Sequence, residues 1–72
     1  MEKPKFFVHA AYEHDSQHGL RVGPFVDQAI AICRALDTFE DVADCLSVEV
    51  WCERPSLFGH SYHRIFRRSV PW

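Results

Sequence analysis

Five histidines occur in 72 residues, and four of them form two close pairs, His14/His18 and His60/His63. Imidazole nitrogens combined with the thiolates of Cys45 or Cys52 are the ligand types of a tetrahedral zinc site, so a small zinc-stabilised domain is one chemistry these residue types permit. The spacing argues against it. There is no Cys-x2-Cys knuckle, the His14 to His18 stretch has no helical pattern, and His60 and His63 fall on opposite faces of any strand that carries them. The reading therefore assigns no metal ligands and no cofactor, and takes Cys33 and Cys52 as small buried hydrophobes.

A second chemistry is catalytic. A Cys/His nucleophile pair or a His/carboxylate acid–base pair can be drawn from His9, Glu49, Cys52, Glu53 and His60. Such pairs need a concave, partly dry pocket that holds them in register, and a very small domain has little volume from which to form one. The expectation is a non-enzymatic protein.

Charge is the more informative pattern. Between Arg34 and Arg54 lie six carboxylates, Asp37, Glu40, Asp41, Asp44, Glu49 and Glu53, with no Lys or Arg among them. From Arg54 onward come four arginines and no acid, so a net charge of −2 conceals two opposed halves. The acidic segment, with Trp51 inside it, can steer and anchor a basic protein partner, since charge complementarity sets encounter and aromatics supply interface anchors. In the basic half, Arg64, Arg67 and Arg68 interleave with Tyr62 and Phe66. That pattern offers phosphate contacts beside stacking rings, and makes nucleic-acid binding the alternative.

A chain of this length forms one domain and buries only about 60% of its unfolded surface, which makes dimerisation or docking onto a partner an expectation. Apolar residues make up 47% and aromatics 14%, which is the composition of a folded domain. Three cysteines cannot all pair within one chain, no signal-peptide pattern is seen, and no apolar run approaches a membrane span. These features point to a cytoplasmic protein with reduced thiols.

The elements that must position these residues follow from periodicity. Lys5 to Glu13 reads as a strand with Phe6, Val8, Ala10 and Tyr12 on its core face. His14 to Gly19 reads as a polar connection, and Leu20 to Val22 either extends a strand or leads into a helix. Gly23-Pro24 is expected to start that helix, which runs to about Asp37 with an apolar stripe of Phe25, Val26, Ala29, Ile30, Cys33 and Leu36. Ile32 falls off the stripe. Thr38 to Asp41 has the spacing of a capping box for a second short helical turn.

Leu46 to Glu53 alternates most cleanly, with Leu46, Val48, Val50 and Cys52 inward and Glu49, Trp51 and Glu53 outward. Arg54-Pro55-Ser56 marks a turn, and Ser61 to Arg68 reads as an edge strand whose arginines discourage unwanted pairing. The sum is a single α+β domain over residues 1–72, one amphipathic helix on a three-stranded, mainly antiparallel sheet in the order β-α-β-β. Phe7, His9, Glu49 and Trp51 are expected on the sheet face away from the helix.

With its strand-helix-strand-strand order, its Gly23-Pro24-Phe25 segment and its acidic stretch through Glu53, the chain is similar in size and layout to small phage and mobile-element proteins, including anti-CRISPR inhibitors. The resemblance implies that Asp37, Glu40, Asp41, Asp44, Glu49 and Glu53 face basic residues of a host nuclease or effector complex. The basic C-terminal strand departs from a pure nucleic-acid mimic. The expectation from sequence is a protein-binding, inhibitory module, either monomeric or a homodimer.

Overall fold

The computed structural model describes the backbone of residues 3–12 and 15–70, and all of their side chains except those of 15–18. The elements run β1 (Lys5–Tyr12), β2 (Asp15–Phe25), α1 (Gln28–Asp41), β3 (Cys45–Ser56) and β4 (Gly59–Ser69). All strand pairs are antiparallel, and the sheet order is β2-β1-β3-β4. The α+β class stands, but the sheet has four strands rather than the expected three. The C-terminal strand is an edge strand, as its arginines suggest.

The added strand is β2, and its residues explain why it reads as a connection. Gly19 and Gly23 adopt φ of 46° and 141°, and a Cβ at either would lie 2.6 Å from the Ala10 carbonyl oxygen or 2.9 Å from that of Phe6. Only glycine lets β2 approach β1 there. Both sit where the β1–β2 register shifts, and Pro24 is tolerated because β2 is an outer strand. Turn-forming residues here build a bulged edge.

Pro24 accordingly does not start the helix. Asp27 does: its backbone is extended at φ −121° and ψ 125°, and its Oδ1 accepts from the N–H groups of Ala29 at 2.7 Å and Ile30 at 3.4 Å. No second helical turn begins at Thr38, whose hydroxyl donates to the Arg34 carbonyl at 3.0 Å inside the same helix. The helix ends at Val42, whose N–H reaches the Thr38 carbonyl at 3.1 Å.

The face that α1 buries also differs from the expected stripe. Ala31 and Ala35 are fully buried, Ile32, Phe39 and Val42 pack beside them, and Val26 and Ile30 remain 80% and 55% exposed. Two alanines one turn apart let the helix axis come close to the sheet, where Phe6, Val8, Ala10, Val48, Val50 and Cys52 supply the bulk. Each of Val8, Val48 and Val50 is essentially fully buried, worth about 1.5–3 kcal/mol by removal of its side chain from water. The inward set expected for β1 and for Val48, Val50 and Cys52 is the set observed.

Beyond the Lys5–Glu53 pair, β3 is paired with β4 alone, through Arg54–Ser61, Pro55–His60 and Ser56–Gly59. This two-stranded ribbon runs on past the rest of the sheet, in a molecule that measures 40 × 23 × 18 Å along its principal axes. Among the described residues, no helix is long and apolar enough to cross a membrane.

Candidate binding face

Since α1 covers one side of the sheet, the side chains that alternate to the other side form an open face. In the central strands, Phe7 pairs with Trp51 and His9 with Glu49, while Arg21 of β2 lies opposite His9. Across the β3–β4 ladder, Trp51 pairs with Arg64, Glu49 with Arg67, and Glu53 with Tyr62. Strand alternation thus gathers aromatic and charged groups from all four strands.

Their geometry is specific. The His9 and Trp51 rings stack with centroids 6.1 Å apart and planes at 27°. The Arg21 guanidinium lies 4.3 Å from the centre of the Phe7 ring, a cation–π contact. With Tyr62 these side chains line a shallow cleft of about 280 Å³. Arg64 Nη1 donates to Glu49 Oε2 at 2.9 Å, Arg67 Nε is 4.0 Å from the same oxygen, and Trp51 Nε1 donates to Glu49 Oε1 at 3.4 Å.

Burial alone would raise the Glu49 carboxyl, but hydrogen bonds from Arg64 and Trp51 and the charges of Arg64 and Arg67 hold it below its ordinary value. Burial pushes the His9 imidazole down, Arg21 adds to this, and Glu49 opposes it. Burial and Arg21 thus both favour the neutral imidazole. Its Nε2 is buried and has no hydrogen-bond partner.

No family model, curated protein or solved structure matches this chain. The site must be read from its own residues.

The acidic residues singled out by sequence occupy two sides of the domain. Asp37, Glu40 and Asp41 are exposed on α1, and Asp44 lies in the turn that follows it. Glu49, Trp51 and Glu53 alternate to the open sheet face, where they meet part of the basic set, Tyr62, Arg64 and Arg67. Phe66 and Arg68 turn toward the helix: Phe66 pairs with Val50 and packs against the core, and the Arg68 guanidinium lies 5.5 Å from the centre of the Phe39 ring. A register shift between Val50 and Trp51 puts Arg64 and Arg67, three residues apart, on one face.

Arg21 is the residue that sequence reasoning missed. Its flanking by Leu20 and Val22 carries the alternation of a strand, which the surrounding glycines mask. Among the described residues the open face therefore sets Lys5, Arg21, Arg64 and Arg67 against Glu49 and Glu53, a local excess of cations in an acidic chain.

The alternative chemistries are dispersed. Cys52 is buried on the helix side, across the sheet from His9, Glu49 and Glu53. Burial raises the Cys45 thiol above its ordinary pKa, which disfavours the reactive thiolate. His60 Nδ1 lies 3.2 Å from Glu53 Oε1, and His63 alternates to the other face opposite Cys52. Among the described residues, no group of three or more His, Cys, Asp or Glu side chains is placed to hold a metal ion. His14 and the side chain of His18 lie outside the described residues.

Proposed function

We propose that this protein is a non-enzymatic binding module that takes an unpaired nucleic-acid strand on its open sheet face. The observation that carries the reading is the convergence of Phe7, His9, Trp51 and Tyr62 with Arg21, Arg64 and Arg67 on one surface that no described element covers. A base presents a π-face to such rings and a phosphate presents charge to the guanidinium groups, so the two residue types divide the recognition of one ligand. The overall acidity of the chain matters less than the local sign, because α1 keeps Asp37, Glu40 and Asp41 on the other side of the sheet. The test is fluorescence anisotropy of labelled single-stranded DNA and RNA at low and high salt. Salt-sensitive binding that Trp51→Ala weakens supports the reading, and no binding at low salt refutes it.

A second reading is favoured by the exposed helix surface. Ile30 lies on the same helix as Asp37, Glu40 and Asp41, and Val26 lies just ahead of that helix's cap, which combines apolar anchors with acidic steering. On this reading the domain docks on a basic protein, in the manner of a phage-type inhibitor that blocks a host nucleic-acid-handling complex. Glu40→Lys with Asp41→Lys should then abolish capture of that partner while leaving oligonucleotide binding intact.

A further inference from the structure

The tip of the β3–β4 ribbon carries Leu57 and Phe58, which are 97% and 100% exposed. A tight hairpin turn is served by Gly, Asn or Asp, and here Gly59 alone, at φ 120°, meets that need. Nothing in the turn calls for two large apolar side chains, and they support no core. The ribbon behind them carries Arg54 and His60 and no acid beyond Glu53 at its root. Tyr62 lines the cleft and pairs with Glu53, so the ribbon rises directly from the edge of the open face. From Glu53 to Leu57 is about 13 Å of strand, or roughly four base steps.

We infer that the ribbon is a wedge and that the ligand of this domain is a nucleic acid with a junction between single strand and duplex. The unpaired strand lies on the open face, and Phe58, with Leu57 beside it, stacks on the terminal base pair of the duplex, as apolar wedges do at unstacked steps. The cations favour this occupant over a lipid bilayer. A bilayer takes cations at the tip, where the ribbon has Arg54 alone and on the face away from the cleft, whereas Arg64 and Arg67 lie back along β4 on the side of the cleft, where an unpaired strand passes. The inference rests on the single-strand reading above.

The experiment compares three labelled probes: a single strand, a blunt duplex, and the same duplex with a single-stranded tail of either polarity. The tailed duplex should bind about tenfold tighter than the single strand, the lower part of the range for one base–aromatic stack. Phe58→Ser should remove that advantage and leave single-strand affinity unchanged; its full exposure keeps the fold out of the comparison. Equal affinity for tailed and untailed probes, or an equal loss on all probes in Phe58→Ser, overturns the wedge while the open-face reading stands. Binding to anionic vesicles that needs Phe58, without any junction preference, reassigns the tip to a membrane surface and also overturns it. If no probe binds, the single-strand reading itself falls and the wedge falls with it.

Discussion

Arg64 donates to Glu49 across the β3–β4 ladder at 2.9 Å, which places a carboxylate at the centre of the most cationic part of the open face. Glu49 holds Arg64 and draws in Arg67 at 4.0 Å, so it orders the two guanidinium groups while offsetting part of their charge. Glu49→Gln should tighten binding of an oligonucleotide at low salt and steepen its salt dependence, because a phosphate no longer competes with a carboxylate. Titrations of both proteins across a salt series check this, and a weaker Glu49→Gln would show that ordering outweighs neutralisation.

The same carboxyl predicts a pH dependence. A folded pKa held below the ordinary 4.5 contributes stability that is complete above that value and is lost as pH falls through the folded pKa. The melting-temperature difference between wild type and Glu49→Gln should be constant above pH 5 and shrink on acidification. A difference that grows on acidification would contradict the assigned shift.

His9 titrates with the opposite preference for charge. Its folded pKa lies below 6.5, so the unfolded chain binds the proton first. Stability is lost as pH falls from 6.5 toward the folded pKa, and is flat below it. His9→Phe keeps the ring against Trp51 and should remove this part of the acid sensitivity. Thermal melts between pH 7.5 and 5 provide the measurement.

Helix phase is tested by a pair of substitutions. Ala31→Leu forces a side chain into the closest helix–sheet approach and should cost about 1–3 kcal/mol. Ile30→Ser, on the exposed side, should change stability by no more than about 0.5 kcal/mol. Urea denaturation separates the two, and a reversed order would restore the stripe through Ile30 and Cys33.

The sequence signals that succeeded and failed here have distinct physical origins. Val48, Val50 and Cys52 alternate with Glu49, Trp51 and Glu53, and the open-face set of Phe7, His9, Glu49 and Trp51 was legible from that alternation alone. The helix phase was not, because Ala31 and Ala35 carry little hydrophobicity while Ile30 and Cys33 carry more. Close packing selected the small residues. Of strand β2 only Leu20 to Val22 was open to a strand reading, because Gly19, Gly23 and Pro24 are turn residues that here serve a bulged edge, and Arg21 was not singled out. The acidic run was legible as a run, but its division between a helix surface and a sheet face depends on topology.

The two margins of the sheet are unequal, and that inequality bears on polymerisation. A fibre grown by joining sheets end to end needs both margins of each copy to accept a neighbour. The β4 margin is long, but its arginines repel an identical strand, and the β2 margin is interrupted by Pro24 and by the shifts at Gly19 and Gly23. Backbone pairing between copies is therefore disfavoured at both margins, which suits a domain this small that displays an aromatic sheet face.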